Sequence, residues 1–378
     1  MTETNKAGMS TPAKRLTAAF VLEQTLGHVT HSKNLRALVP AAGSIEPVFL
    51  PITFGTRPWS IPGWSNWTIR AGVRARLSLR RLRRENPPVE PDVIFVHTQV
   101  PAVLLAAWMK RTPTVVSIDA TPRQYDSLGE FYAHEQGPAW LENLKFRANQ
   151  RCFNRAAHLI AWSAWAKTGL VEEYGIAPDR ITVIPPGVDV EQWRRPSSRN
   201  ELATGPVRVL FVGGDLRRKG GDILIEAVRR LRTDPDVPEV ELHLVTGAQV
   251  GAEPGIIVHR GLTSNSPELI EQYHLADIFC LPTLGDCLPM VLAEAAACGL
   301  PLLSTAVGAI HEIVQPDVTG ELVPTGDVDA LTTALRVLII DPDRRAAYGT
   351  AARKLAECDH DARTNALLIV ETLHNAAL

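Results

Sequence analysis

Apolar and polar positions run through two rounds of one alternation along this chain. Residues 18–22 are apolar, residues 23–29 form a loop centred on Gly27, and a helical pattern runs on through Leu38. Residues 92–97 (DVIFVH) are almost continuously apolar, as expected of a strand buried on both faces. Residues 100–109 predict a helix and 114–118 a second buried strand. Residues 156–162 and 181–184 repeat the strand pattern. Strands separated by helices imply a parallel sheet covered on both sides.

The turn cluster IPPGVD at 184–189 closes this round, and a stretch rich in Pro, Ser and Gly at 194–205 predicts a linker. The second round predicts strands at 207–212, 241–245, 256–258, 278–281 and 301–304. Helices are predicted at 222–231, 267–275 and 289–298, and they fill most of the chain from Asp327 onward. The expected fold is α/β, with two doubly wound parallel-sheet domains facing a central cleft. Ligands are expected at the carboxyl ends of the strands, in that cleft. The expected division is a polar tail at 1–13, a first domain at 14–203, a second at 204–355, and a C-terminal helix at 356–378 packing back toward the first.

Charge separates the two rounds. Residues 1–203 carry 25 Lys and Arg against 17 Asp and Glu, and residues 204–378 carry 14 against 24. A basic half and an acidic half suggest different partners for each. Five cysteines, with no CxxC, argue against a disulfide framework or a zinc site and fit a reducing cytoplasm; they are expected as small buried side chains. The longest apolar run, 102–109, is too short to span a bilayer. Residues 16–22 suit a first strand better than a signal peptide.

Three loops of the second half suit chemistry. The first, Phe211 to Gly221 (FVGGDLRRKGG), follows a buried strand and precedes a helix. Its glycines, Gly213 and Gly214 among them, permit close backbone approach, and Arg217, Arg218 and Lys219 supply positive charge for a phosphate-bearing ligand. It matches neither the P-loop nor GxGxxG, and a basic turn is also commonly a solvated loop. The second, Asp286 to Glu294 (DCLPMVLAE), places Pro289 at the expected first helical position. The amides of Met290 and Val291 are then left for an anion. Glu294 follows Pro289 by five residues, about 7.5 Å along a helix axis. The plainer alternatives are a turn residue at Asp286 and a surface charge at Glu294. The third, 305–314 (TAVGAIHEIV), brings Gly308 to the same sheet edge.

Taken in order, these segments resemble the retaining family 4 glycosyltransferases of the GT-B fold. The resemblance rests on strand-GG-x4-KGG-helix, D-x7-E, CGLP-strand-VGAIHEIV, the turn IPPGVD and the phrase ADIFCLP at 276–282. It is strong over 155–325, while the first half matches in layout, with Gly27 and His28 in the loop after the first strand. It implies two Rossmann-like domains and transfer of a sugar from a nucleoside-diphosphate sugar to an acceptor hydroxyl, with retention and without a metal or other cofactor. Asp286 and Glu294 then stand at the E-x7-E pair, the first on the sugar hydroxyls and the second on the ribose. Asp replaces the usual first Glu, one methylene shorter. Lys219 stands at the diphosphate lysine. Gly214 replaces the usual arginine, a charge Arg218 is placed to supply. Leu288 lies in the turn after Asp286. Asp119 stands where similar enzymes carry a histidine near the reacting sugar; capping or turn formation before Pro122 is its other reading.

Two other readings remain open at this stage: a sugar-nucleotide 2-epimerase of the same architecture, and a non-catalytic nucleotide-sugar-binding protein. The acceptor, whether a glycan, a lipid-linked molecule or a small molecule, is not legible. DVD at 327–329 and DHD at 359–361 are expected as surface charge on helices. Trp59, Trp64 and Trp67 precede seven arginines from Arg70 to Arg84, and Ile69, Val73 and Leu77 recur at helical spacing. That stretch suits a solvated helix, a peripheral contact with an anionic membrane on its inner face, or a phosphorylated acceptor. No motif points to nucleic acid.

Overall fold

The computed structural model describes residues 15–25, 27–53, 67–128, 137–196 and 205–378. The tail at 1–13, Trp59, Trp64 and most of the expected linker lie outside them.

The first sheet is built from β1 (Leu16–Glu23), β2 (Ile45–Ile52), β3 (Val93–His97), β4 (Thr114–Ile118), β5 (His158–Ala161) and β6 (Ile181–Val183). All pairings are parallel, in the order β2-β1-β3-β4-β5-β6. Its helices are α1 (His28–Leu38), α2 (Trp67–Leu82), α3 (Gln99–Ala102), α4 (Pro122–Ser127), α5 (Ala139–Arg155) and α6 (Ala164–Glu172). The second sheet holds β7 (Val207–Val212), β8 (Val240–Val245), β9 (Ile256–His259), β10 (Ile278–Leu281), β11 (Leu302–Thr305) and β12 (Gly320–Val323), in the order β12-β11-β10-β7-β8-β9. Around it lie α7 (Gly221–Arg232), α8 (Pro267–Leu275), α9 (Met290–Ala297), α10 (Val328–Ile340) and α11 (Pro342–Asp359).

The last helix, α12 (Ala362–Ala377), leaves the second sheet. It buries Ala366, Ile369, Val370 and Leu373 with Phe20, Phe95 and Ile160 on one face of the first. A fully buried Leu such as Leu373 contributes about 1.5–3 kcal/mol to holding that return. The other face of the first sheet packs on α2, α5 and α6 through Ala75, Leu79, Cys152, Phe153 and Leu170.

In each sheet the strand order reverses once. The reversal lies between β1 and β3 in the first sheet, and between β7 and β10 in the second. The loops leaving the carboxyl ends of those strands diverge and leave a crevice. Those after β7 and β10 are the two loops that the sequence marks by FVGGDLRRKGG and DCLPMVLAE.

Several local expectations are corrected. β2 (IEPVFLPI) was not foreseen, because Pro47 and Pro51 disrupt its pattern; as an edge strand it tolerates them. The helix expected at 100–109 is only α3 followed by a 3-10 turn to Leu105. In α2 the buried positions are Ala71, Gly72, Ala75, Leu79 and Leu82, while Ile69 and Leu77 are exposed. Pro289 caps α9 from outside instead of opening it. Asp327 and Asp361 are helix N-caps, and Asp327, Asp329 and Asp359 are exposed, as expected of surface charge. Four cysteines are buried, but Cys358 is exposed.

Candidate active site

The loop between β7 and α7 is shaped by glycine. Gly220 has φ +75°, and a Cβ there would lie 1.9 Å from the Pro282 carbonyl oxygen. Only glycine lets the two loops touch. Their contact is sealed by Leu284 N–H donating to Arg218 O at 2.8 Å. Lys219, just before Gly220, therefore reaches Asp286 in the facing loop and bonds its Oδ2 through Nζ. Arg218 joins them: its Nη1 donates to Gly285 O at 2.8 Å and lies 3.8 Å from Asp286 Oδ2. Thr283 Oγ1 stands 3.4 Å from the same oxygen. All three charged side chains are nearly buried, at 11–13% exposure, so their fields are weakly screened by water.

The third loop closes on this pair. Gly308 has φ +55°, and a Cβ there would lie 2.3 Å from Asp286 O and 2.8 Å from Cys287 O. Ala309 N–H donates to Cys287 O at 2.8 Å, which fixes the approach. After Asp286 the chain passes through the buried Cys287 and Leu288 to Pro289, and α9 begins at Met290. The amides of Met290 and Val291 belong to its first turn, where no intrahelical carbonyl can accept from them. On the other strand, Gly213 N–H is tied to Val245 O at 3.0 Å, whereas Gly214 has open space where a side chain would project.

Glu294 is not part of that cluster. It is 3% exposed and turns toward α8, where Tyr273 Oη donates to its Oε2 at 2.8 Å. Burial raises its carboxyl to about 7, opposed by the Tyr273 hydrogen bond. The plain reading of Glu294 as a surface charge is thus excluded.

From the first half, Asp119 ends β4 and is buried at 6% exposure. Its Oδ1 accepts Ala120 N–H at 3.0 Å and its Oδ2 accepts the Tyr125 hydroxyl. The cap of α4 is Thr121, in a capping box with Gln124, so Asp119 is not the capping residue. His28, on the first turn of α1 after Gly27, brings Nε2 to 3.9 Å from Asp119 Oδ2. Its Nδ1 meets His97 Nε2 at 2.9 Å. His97 stacks on Trp162 at 4.9 Å and 6°, and His31 meets the same ring edge-on. Burial holds His31 down to about 3 and His97 well below its ordinary range, so both rings are neutral.

The halves meet at Cys287. Its thiol is pushed up by burial and then by the carboxylates of Asp119 and Asp286, and it is hydrogen-bonded to Tyr125. Asp119 of the first sheet and the Lys219–Asp286 pair of the second therefore border one buried point. Other contacts also join the halves. Glu312 accepts the amides of Ala164 at 2.9 Å and Trp165 at 2.8 Å, Lys33 Nζ donates to Ser264 Oγ at 2.9 Å, and Asn265 Nδ2 donates to Asn34 Oδ1 at 2.8 Å.

Thus Lys219, Arg218, Asp286 and Gly308 come together, Leu288 and the start of α9 follow them in the chain, and Asp119, with His28 beside it, reaches the same point from the first sheet. Glu294 lies one helix turn deeper. Sequence reasoning missed Tyr125, Tyr273, Thr283 and the His97–Trp162 stack. None lies in a motif, and only the folded chain places them beside the charged residues.

Residues 206–341 match a family described as glycosyl transferases group 1, and residues 37–192 match glycosyltransferase family 4. The chain is 34% identical over 265 residues to the GDP-mannose-dependent alpha-(1-6)-phosphatidylinositol monomannoside mannosyltransferase of Mycolicibacterium smegmatis, covering 64% of this chain and 68% of that one. It is 31% identical over 221 residues to the D-inositol 3-phosphate glycosyltransferase of Xylanimonas cellulosilytica, covering 52% and 51%. The chain thus spans only about half the length of the latter. In three dimensions it resembles Anabaena HepE, solved in complex with UDP-glucose, with a TM-score of 0.69 at 18% identity over 96% of this chain and all of that one. The motif order, the paired parallel sheets and these matches together establish that the chain belongs to the family 4 glycosyltransferases of the GT-B fold.

Proposed function

We propose that the chain transfers a glycosyl group from a nucleoside-diphosphate sugar to an acceptor hydroxyl with retention of anomeric configuration. One observation carries this reading: Lys219 and Arg218 meet Asp286 at the strand-order reversal of the second sheet, just before α9 begins. Departure of a nucleoside diphosphate builds negative charge on its phosphates. A nearly buried ammonium, a guanidinium and a helix N-terminus are the groups that stabilise such charge. The site uses no metal ion in this mechanism, because these groups take the electrostatic part.

Asp286 is bonded to Lys219. The incoming diphosphate replaces Asp286 as the partner of Lys219, and the released carboxylate turns to the sugar hydroxyls. Gly213 and Gly214 let the phosphates approach the backbone, and Glu294 holds the ribose. Asp119 and His28 stand on the acceptor side, where the hydroxyl attacks the face that the diphosphate leaves. Closure of the halves excludes water and limits hydrolysis.

We place the acceptor on residues 14–203 and the donor on 204–355, with 356–378 tying the second unit back to the first. The exposed Ile69 and Leu77 on the arginine-rich α2 favour a peripheral contact with an anionic membrane, at its cytoplasmic face. Among the described residues no helix is long and apolar enough to cross a membrane.

The test is incubation with UDP- and GDP-sugars, with and without acceptors such as inositol phosphate. Glycosylated product and released nucleoside diphosphate are expected. A new nucleotide sugar formed without acceptor would instead identify an epimerase. Binding without turnover of any donor would leave a non-catalytic binder. Co-sedimentation with anionic but not neutral liposomes tests the membrane contact.

A further inference from the structure

We propose that Tyr273 is a positioning residue for the donor: it pins Glu294 Oε2 so that Oε1 is presented to the nucleoside. This rests on the donor reading above and assigns a role to a residue outside every motif of the chain.

Tyr273 is fully buried on α8 and cannot swing aside. Its ring stacks on Phe279 at 5.5 Å and 13°, and meets Trp193 edge-on at 5.0 Å and 84°. Two aromatic contacts of this kind fix the ring plane. The hydroxyl then has one direction to point, and it donates to Glu294 Oε2 at 2.8 Å. Among the described residues no other hydrogen bond reaches that carboxyl group, and Oε1 is not among the sealed, unpartnered atoms. One oxygen is therefore held from below by the protein, while the other remains open to a ligand.

Among the described residues no further charged side chain acts on the pair. The other titratable group acting on Tyr273 is Cys298, at the end of α9, whose Sγ donates to Trp193 O at 3.2 Å. Arg195 and Arg353 act on that thiol. Burial alone raises Glu294, and the Tyr273 hydroxyl opposes this by favouring the ionised form. Without the hydroxyl, Oε2 loses its anchor and the carboxyl protonates at higher pH. Nucleoside affinity should fall most where the native carboxylate is ionised and the unanchored one is not, near neutrality.

Calorimetric titration of the full chain with UDP and, separately, GDP over pH 6–9 tests this. Tyr273→Phe keeps the ring and its packing. It is expected to weaken the bound nucleotide about 10- to 100-fold at pH 7, the scale of one hydrogen bond to a charged group, with the deficit shrinking toward pH 9. Phosphate ionisation is common to both proteins and cancels in the ratio. Glu294→Gln should weaken binding with a deficit that grows toward pH 9, as the native carboxylate ionises, and the double variant should lose no more than Glu294→Gln alone. Native affinity in Tyr273→Phe at pH 7, or a deficit constant with pH and additive with Glu294→Gln, would overturn the assignment while leaving the donor reading intact. Failure of the native chain to bind either nucleotide would overturn both.

Discussion

Lys219 and Asp286 are bonded to each other across two loops that lie 67 residues apart in sequence. The lysine proposed above to meet the diphosphate is thus held in place by a carboxylate of the facing loop. Such a pair keeps the lysine oriented in a site with little water, where an unpaired ammonium would be costly. Lys219→Ala leaves Asp286 with Arg218 as its remaining cation and should cost about 100- to 1,000-fold in transfer rate, with the fold retained. Transfer assays beside a melting curve check this. Full activity in both Lys219→Ala and Glu294→Ala would refute the donor site.

Glu294 carries a stability cost when ionised. Its carboxyl is raised to about 7 by burial, above its ordinary 4.5. The native state therefore binds the proton more tightly than the unfolded chain. The stabilisation associated with the protonated form is complete below about 4.5 and is lost as pH rises through about 7. Glu294→Gln mimics the neutral form. It should raise the melting temperature at pH 8, by up to about 3 kcal/mol of stability, and change it little at pH 5. Melting curves at both pH values measure this directly.

The histidines on Trp162 act in the opposite sense. Burial, with His28 adding to it, lowers His31 to about 3, so folding favours its neutral ring. That stability is present above pH 6.5 and is lost as pH falls toward 3. His31→Gln, which takes no proton, is expected to flatten the acid limb of the stability curve. Denaturant titrations between pH 4 and 7 would show it, and an unchanged acid limb would mean that other groups dominate.

Gly308 should tolerate no side chain. At φ +55°, with Asp286 O 2.3 Å from a would-be Cβ, Gly308→Ala must push the third loop off Asp286. A cost of about 1–3 kcal/mol is expected, together with weaker nucleotide binding. Thermal shift with and without UDP or GDP separates the two effects.

Glu312 links the halves through two amides at the start of α6, where the helix dipole favours a carboxylate. Glu312→Ala removes both bonds. The closed arrangement should weaken by about 1.5–3 kcal/mol. Small-angle scattering is expected to report a larger radius of gyration, with the melting temperature of each half little changed.

Hydrophobic patterning along the chain was enough to predict both parallel sheets and most of their strands. A strand buried on both faces must be apolar along its length, and a crossover helix must separate it from its parallel neighbour. The edge strands β2 and β12 escaped because an edge tolerates proline, glycine and brevity. The loop residues Lys219, Asp286 and Gly308 were legible because close backbone approach and paired charge restrict residue type at fixed spacing. Their bonding to one another was not legible, nor was the burial of Glu294 beneath Tyr273 or the convergence of Asp119, Tyr125 and Cys287. Those relationships join residues from separate elements, and in Asp119 and Cys287 from separate sheets. Local sequence carries propensity and periodicity, but a distance between remote side chains exists only once the strands have paired and the two halves have met.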